Sequence, residues 1–250
     1  MEHEKNRREY EKVTEYIYNM IASKEVMAGS RIPSERDIAA NLSVSRNSVR
    51  EAIRMMDSMG VLECRQGAGN FLCGNINRGF RQVLDMLFLL HETDMEDICR
   101  FRHSVEKTVY DMAYERRDNN LYITRMGEAT HKFENASAAQ QTALDKEFHY
   151  MLIKAAGNHF LEIFMESISD IYQGWVNAVL SDIPNDDMQA LKESHSGIYK
   201  SLKDGDYDAG TAAINAHYQT IDKVIFGNDK VKLNWSRIPK IRSFARYVYA

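Results

Sequence analysis

Residues 10–73 carry three helical hydrophobic patterns followed by two strand patterns. The first helix is predicted over residues 10–23, because apolar residues recur there every three or four positions. Ser34 and Ser45 suit the N-caps of two shorter helices, and a tight turn is predicted between these helices. Gly60 suits the position just beyond the end of the third helix. The apolar positions expected to face inward are Val13, Ile17, Met20, Ile21, Ile38, Ala39, Leu42, Val49, Ile53 and Met56.

A two-stranded hairpin is predicted directly after the third helix. Residues 61–65 alternate between apolar and polar positions, and residues 70–73 return as a second strand. The tip between them, Gln-Gly-Ala-Gly, permits a tight turn and a close approach of the backbone to DNA. Two short helices around a tight turn, followed by such a hairpin, are the outline of a helix-turn-helix with a β-wing, which is a DNA-reading fold.

The outward face of the third helix is the candidate DNA-reading surface. Arg46, Asn47 and Arg50 project from its first turns, opposite the apolar stripe. A recognition helix places its N-terminal residues against base edges in the major groove. There Arg can form two hydrogen bonds to guanine, and Asn can do so to adenine. The hydroxyls of Ser45 and Ser48, with the free N–H groups at the start of the helix, suit phosphate oxygens.

Three more residues extend this surface. Arg36, on the second helix, is placed to contact the DNA backbone or an adjacent base. Gln66 and Gly67, at the tip of the hairpin, are expected to reach a neighbouring minor groove. The alternatives are that the arginines form an ordinary solvated helix face and that the glycines form a plain hairpin turn.

The rest of the chain predicts helices. It contains no glycine-rich phosphate loop and no alternating strand pattern, so a bundle of six or seven helices around one core is the economical architecture. The chain is expected to be mostly α, with a winged helix-turn-helix domain over 1–74, an all-helical domain over 79–227 and an extension over 228–250. The later helices are predicted over residues 80–90, 93–117, 120–136, 142–156, 158–181, 186–203 and 206–226.

Four polar residues in the helical segment are candidate metal ligands. Asp145 and His149 are four residues apart, so their side chains meet on one face of a helix. His195 and His217 lie near the middle of the last two predicted helices. Imidazole and carboxylate ligands suit a divalent transition metal such as Zn, Ni, Fe or Mn. The alternative is that these histidines are ordinary surface or core residues.

The net charge of −4 is unevenly distributed. Residues 1–74 carry 11 basic and 11 acidic side chains, residues 75–227 carry 15 and 24, and residues 228–250 carry six and one. An acidic middle segment repels a phosphate backbone, so DNA contacts are expected from the N-terminal domain or the tail. The tail is predicted to form a short amphipathic helix docked on its own helical domain or on a partner subunit. An added DNA contact is the alternative.

The protein is expected to be cytoplasmic. No apolar run approaches the ~20 residues needed to span a bilayer, and residues 1–12 lack the apolar core of a signal peptide. The three cysteines, Cys64, Cys73 and Cys99, have no CxxC spacing. Cys64 and Cys73 are expected to face each other across the hairpin as half-buried thiols, with a redox switch as the alternative.

The segments 33–36, 44–52 and 60–69 read Pro-Ser-Glu-Arg, Val-Ser-Arg-Asn-Ser-Val-Arg-Glu-Ala, and Gly-Val-Leu followed by Gly-Ala-Gly. These motifs resemble the GntR family of bacterial winged-helix transcriptional regulators, and the resemblance covers nearly all of residues 10–73. Asn47 and Ser48 stand where Thr is common in the family, which leaves the operator sequence open. The resemblance implies DNA contacts at Arg36, Ser45, Arg46, Asn47, Arg50, Gln66 and Gly67.

The helical segment resembles the effector domain of the FadR-like branch of that family, called the FCD domain. The similarity is carried by Arg102 and Glu106 on the long helix, the Asp145–His149 segment, Ala156-Gly157-Asn158, His195, Gly205-Asp206 and His217. It implies that Asp145, His149, His195 and His217 are metal ligands. It also implies that Arg102 clasps the carboxylate of an effector, for which a planar guanidinium is suited. An intrahelical ion pair with Glu106 is the alternative for Arg102. Ser194 departs from the Glu that the family often has before its histidine.

These features favour a ligand-responsive transcriptional regulator that acts as a homodimer on palindromic operator DNA. A small carboxylate effector, bound at the metal and Arg102, is expected to shift the placement of the two DNA-binding domains and relieve repression. A second hypothesis is a metal-dependent enzyme with an appended DNA-binding domain, in which the same ligands activate water. In a third, the helical domain holds no metal and only dimerises.

Overall fold

The computed structural model describes residues 2–90, 92–134, 136–180 and 183–226. The chain forms two compact units, of which the first ends at Val83 and the second begins at Leu84. The helix predicted within the basic tail, residues 228–250, lies outside the described residues. The predicted fold class is confirmed, because a small two-stranded sheet accompanies an otherwise helical chain.

The first unit is a winged helix-turn-helix. Its elements are α1 (Glu2–Ala22), α2 (Glu35–Leu42), α3 (Arg46–Ser58), β1 (Leu62–Arg65) and β2 (Gly69–Leu72). Helix α1 begins well before the predicted start at Tyr10. The additional turns contain no apolar periodicity, which is the signal that marks the packed part of a helix, but are rich in Glu, Lys and Arg, which are good helix formers.

Serine caps start α2 and α3, as predicted. The side-chain oxygen of Ser34 accepts a hydrogen bond from the backbone N–H three residues later at 3.3 Å, and that of Ser45 does the same at 3.1 Å. The chain leaves α2 through Ser43 in the left-handed region, with φ of 53°. Gly60 follows α3 with φ of 76°, a conformation that glycine adopts without a steric penalty.

The core of the first unit is built from the predicted apolar stripes and the wing. Ile21 and Leu42 are only partly buried at its edge. Because the stripe of α3 faces this core, the opposite face of the helix is left for other contacts. The buried members are Val13, Ile17, Met20, Val26, Ile32, Ile38, Ala39, Val49, Ala52, Ile53, Met56, Leu62 and Leu72.

Strands β1 and β2 form an antiparallel hairpin in which Arg65 pairs with Gly69. This register places Cys64 opposite Asn70, so the expectation that Cys64 and Cys73 face each other is wrong. The three-residue tip fixes the pairing, because each step away from the tip advances both strands by one residue. Both thiols are exposed rather than half-buried.

Seven helices follow the wing within the described part of the chain. Each corresponds to one predicted segment, although α4 begins at Ile76 rather than at 80 and α7 begins at Ala138 rather than at 142, because their first turns carry no apolar stripe. None of the described helices is long and apolar enough to cross a membrane. The helices are α4 (Ile76–Leu89), α5 (Met95–Glu115), α6 (Leu121–Glu134), α7 (Ala138–Ala156), α8 (His159–Leu180), α9 (Asn185–Asp204) and α10 (Tyr207–Phe226).

Two glycines end helices in the second unit. Gly157 follows α7 with φ of 63°, and Gly205 follows α9 with φ of 76°. The next residue caps the following helix in both places. The Asn158 side chain accepts from the N–H of Phe160 at 3.1 Å, and that of Asp206 accepts from Ala209 at 3.0 Å. Short connections of this kind favour an antiparallel arrangement of α7 with α8 and of α9 with α10.

Helix α10 passes close to its neighbours at Gly210. A β-carbon built there would lie 1.9 Å from the hydroxyl oxygen of Tyr110 and 2.3 Å from that of Ser201. Tyr110 and Ser201 are themselves buried and hydrogen-bonded to each other at 3.2 Å. The glycine therefore allows α5, α9 and α10 to meet around one core.

Gly210→Ala is expected to destabilise the protein. Helix propensity alone would favour alanine by about 1 kcal/mol, but overpacking against two buried hydroxyls costs typically about 1–3 kcal/mol. Urea unfolding followed by circular dichroism should show a lower midpoint for Gly210→Ala. The exposed Asp208→Ala on the same helix should stay close to wild type. A midpoint for Gly210→Ala at or above the wild-type value would contradict this account of the packing.

Candidate DNA-reading surface and metal centre

The predicted DNA-reading residues of α2 and α3 are exposed. Arg46 and Asn47 are exposed on the first turn of α3. Arg50 is exposed too, but its guanidinium pairs with Glu35 of α2 at 3.2 Å. Arg36 lies 3.6 Å from its neighbour Asp37, with most of its side chain in solvent. The arginines are therefore accessible to a nucleic acid.

A carboxylate that the sequence did not single out lies at the start of the reading helix. One oxygen of Glu9, on α1, accepts from the backbone N–H of Ser45 at 3.0 Å and from the hydroxyl of Ser48 at 2.9 Å. These two donors were predicted to suit DNA phosphates. In this structure an acidic side chain takes the place expected for a phosphate, since both are anions with acceptor oxygens.

The wing tip is open. Gln66 and Gly67 are exposed, and a β-carbon built at Gly67 would meet nothing within 4 Å. Next to the tip, the Arg65 guanidinium pairs with Glu63 at 2.8 Å and lies 4.5 Å from the centre of the Phe71 ring. Steric crowding does not require glycine at position 67. The backbone there has φ of 74°, a conformation that favours glycine over residues with a β-carbon.

Three helices of the second unit bring the predicted histidines together. His149 of α7, His195 of α9 and His217 of α10 are all buried, and each offers a ring nitrogen that lies within 4.8 Å of the other two. Asp145, one turn before His149, borders this cluster. Its Oδ1 lies 3.5 Å from Nε2 of His195 and 3.7 Å from Nε2 of His149. Residues distant in sequence therefore form one compact group of nitrogen and oxygen donors.

Two further side chains contact the outer nitrogens of this cluster. Oε2 of Glu106, on α5, lies 2.8 Å from Nδ1 of His149. The hydroxyl of Ser194 lies 3.1 Å from Nδ1 of His217. The sequence identified Glu106 only as a possible partner of Arg102, and Ser194 only as a departure from the family pattern. Their contacts cross between helices, so no local spacing revealed them.

The donor set fits a transition metal. Nε2 of His195, Nε2 of His217 and Nδ1 of His149 are buried and make no well-aligned hydrogen bond among the described residues, although Nδ1 of His149 lies 2.8 Å from Oε2 of Glu106. Buried polar atoms are rarely left in this state. Three imidazole nitrogens with an adjacent carboxylate are ligands that Zn, Ni, Fe and Mn accept. The cluster can therefore hold a metal ion.

Burial and charge set the protonation of the cluster. Burial disfavours a charged His149, but the carboxylates of Glu106 and Asp145 outweigh it and raise the pKa of His149 to about 9. Burial lowers the pKa of His195 to about 4. Burial and the neighbouring His195 hold the pKa of His217 well below its usual value. The pKa of Asp145 is lowered despite burial, because His149 lies beside it. His195 and His217 are thus neutral, the form in which imidazole binds metals, whereas His149 carries an extra proton that a metal bound at its ring would displace.

A cavity of about 360 Å³ adjoins the cluster. Arg102 and His149 both line it, so the residue predicted to clasp an effector carboxylate opens into the same space as a metal-ligand candidate. Arg102 is 5% exposed and also pairs with Glu106, at 2.6 Å from Nη2 to Oε1. The intrahelical ion pair considered as an alternative is thus present, and the arginine lines the cavity as well. The cavity is further lined by Ala143, Lys146, Glu147, Tyr150, Ile153, Met165, Glu166 and Ser169.

Both units match known families. Residues 9–72 match the family described as "Bacterial regulatory proteins, gntR family", and residues 97–220 match the FCD domain. The HTH-type transcriptional regulator LutR of Bacillus subtilis is 26% identical over 218 residues, which span 83% of this chain and 97% of that protein. The putative L-lactate dehydrogenase operon regulatory protein of Escherichia coli is 27% identical over 243 residues, 94% of this chain and 93% of that protein.

The fold is shared with a solved structure as well. The Streptococcus agalactiae GntR structure superposes with a TM-score of 0.63 at 23% identity, covering 86% of this chain and 99% of that one. The matched domains and relatives are those of transcriptional regulators and lend no support to the hypothesis of a metal-dependent enzyme. The chain belongs to the GntR family of bacterial transcriptional regulators and carries an FCD domain after its DNA-binding domain.

Proposed function

We propose that this regulator is a cytoplasmic repressor that binds operator DNA as a homodimer and releases it when a small carboxylate binds the FCD domain. Residues 1–74 form the DNA-binding domain and residues 79–227 the effector-binding and dimerisation domain. The observation that carries the proposal is the buried histidine cluster, whose His149 shares a cavity with Arg102. A relative named for an L-lactate dehydrogenase operon agrees with a small carboxylate as the class of effector.

DNA reading falls to the exposed side of the first unit. Arg46, Asn47 and Arg50 approach base edges in the major groove, where their side chains match guanine and adenine. Arg36 and Ser45 contact the backbone, and the wing residues Gln66 and Gly67 reach the neighbouring minor groove. With no net positive charge on residues 1–74, one such domain attracts DNA weakly, so two domains on a palindrome give the required affinity.

Effector binding falls to the second unit. Asp145, His149, His195 and His217 hold a divalent transition metal such as Zn, Ni, Fe or Mn, which supplies a Lewis-acidic position for an effector oxygen. Arg102 binds the effector's carboxylate with its planar guanidinium. A bound effector changes operator affinity only if it binds the two arrangements of the dimer with different affinities, so the effector must favour the arrangement that does not fit the operator.

Arg46→Ala is expected to weaken specific DNA binding by at least about tenfold, the loss typical of a base-contacting arginine (about 1–3 kcal/mol). The probe is a DNA fragment enriched from a random-sequence pool by the wild-type protein, and anisotropy titrations give its affinity. Arg125→Ala, which removes an exposed arginine from the second unit, serves as the matched control. Equal losses in both variants would show that only total charge matters.

His195→Ala and His217→Ala are each expected to lose most bound metal, because each removes one of a small set of buried nitrogen ligands. Metal content after dialysis, measured by inductively coupled plasma mass spectrometry, checks this. His159→Ala is the control, because the His159 side chain is 83% exposed and lies apart from the cluster. Unchanged metal content in both cluster variants would show that the metal site is wrong.

Arg102→Lys is expected to lower effector affinity by about tenfold or more, because an ammonium cannot reproduce the planar pair of hydrogen bonds. A thermal-shift screen of hydroxy acids, sugar acids, amino acids and fatty acids, with and without metal, first finds a stabilising carboxylate. Arg100→Lys makes the same change at an exposed position two residues earlier. If both variants keep the wild-type thermal shift, Arg102 does not bind the effector.

A further inference from the structure

Glu106 contacts two side chains on which the proposed effector site depends. Its Oε1 accepts a hydrogen bond from Nη2 of Arg102 at 2.6 Å, and its Oε2 lies 2.8 Å from Nδ1 of His149. Glu106 is 2% exposed, and its two partners are 5% and 6% exposed. Water therefore cannot readily replace either contact, and each oxygen of this carboxylate is committed to one partner.

The proton on Nδ1 decides which nitrogen of His149 can bind a metal. A carboxylate oxygen can only accept hydrogen bonds, so its 2.8 Å approach to Nδ1 of His149 is favourable only when Nδ1 carries a proton. In the neutral ring the lone pair is then on Nε2. Nε2 is the nitrogen that approaches Asp145, at 3.7 Å from its Oδ1. Glu106 therefore selects the tautomer whose free lone pair faces the other proposed ligands.

The other two histidines have no comparable control. Nδ1 of His217 meets the hydroxyl of Ser194, which can either donate or accept and so imposes no tautomer. For His195, the carboxylate contact within the described residues is made by Nε2 with Asp145, itself a proposed ligand. Among the described residues, Glu106 is thus the carboxylate outside the ligand set that contacts one of the three proposed ligand histidines.

We propose that Glu106 is a positioning residue of the metal site, which holds His149 with Nε2 directed to the metal and joins that ligand to Arg102. The inference rests on the metal site proposed above. Hydrogen bonds of this kind orient histidine ligands, and their loss typically lowers metal affinity by about 10- to 100-fold. Because Arg102 holds the other oxygen, an effector carboxylate that draws Arg102 toward itself acts on the same residue that orients His149.

Glu106→Gln tests this role with little change in shape. The guanidinium of Arg102 can only donate, so it takes the oxygen of the amide and leaves the NH₂ group against Nδ1 of His149. Nδ1 must then accept, which moves the proton to Nε2 and removes the lone pair from the metal side. Zn²⁺ affinity, measured by competition with a chromophoric chelator, is expected to fall by at least about tenfold.

Glu106→Asp separates positioning from packing. Asp is shorter but still only accepts hydrogen bonds, so it is expected to bind Zn²⁺ more tightly than Glu106→Gln. A packing role predicts the reverse order, because Gln has nearly the shape of Glu.

Glu162→Gln is the control. It removes a carboxylate that pairs with Lys154 rather than with the cluster, so it should leave the Zn²⁺ affinity unchanged. Circular dichroism at the assay temperature verifies folding. If Glu106→Gln does not fold, Glu106→Asp must bind Zn²⁺ within about 100-fold of wild type for the role to stand.

The outcomes are distinguishable. A wild-type protein that binds no Zn²⁺ overturns the proposed metal site and this inference with it. A wild type that binds Zn²⁺ together with an equally tight Glu106→Gln variant overturns the role of Glu106 alone. Tighter Zn²⁺ binding by Glu106→Gln than by Glu106→Asp also overturns the role of Glu106. An equal loss of Zn²⁺ affinity in Glu162→Gln has the same consequence.

Discussion

The helical domain buries four ionisable side chains in a row, and their alternating charges make this burial possible. Arg102, Glu106, His149 and Asp145 follow one another at 2.6, 2.8 and 3.7 Å, so each charge has an opposite charge beside it. Removing one member of a buried ion pair typically costs about 3–5 kcal/mol, because the other charge is left uncompensated. The row therefore constrains α5 and α7 to one relative placement, and the cavity beside Arg102 depends on that placement.

The histidine cluster extends this constraint to the last two helices. His195 and His217 are held neutral by burial, and their inward nitrogens have no hydrogen-bond partner in the described part of the chain. Buried polar atoms are seldom left without a partner, since each unsatisfied atom costs folding free energy. The close approach of α10 at Gly210 contributes to the same packing, because α10 carries His217.

The DNA-binding unit uses acidic side chains in a different way. Glu9 contacts the start of the reading helix, and Glu35 pairs with Arg50. Both contacts involve groups proposed to bind DNA, so they must be exchanged for phosphate or base contacts in a complex. The Arg50–Glu35 contact is an exposed ion pair, and such pairs are worth only about 0–1 kcal/mol, so releasing Arg50 for DNA is inexpensive.

Local chemistry determined much of this protein. Apolar periodicity, the serine caps of α2 and α3 and the glycine stops after α7 and α9 depend on residues a few positions apart, and these elements were predictable from the sequence. Periodicity gives no signal in a first turn without an apolar stripe, so the starts of α1, α4 and α7 were missed. The register of a hairpin depends on how many residues form its tip. For this reason the prediction that Cys64 and Cys73 face each other was wrong.

Tertiary structure decided what surrounds the predicted residues. The sequence identified Asp145, His149, His195 and His217 as candidate ligands. Only the packing of the helices that carry them, α7, α9 and α10, brings their donor atoms close together. Glu106 stands 43 residues before His149 and Glu9 stands 36 before Ser45, so no spacing rule connects either pair. Contacts between helices are set by how whole faces pack, and the identity of a single buried partner follows from that packing rather than from its neighbours in sequence.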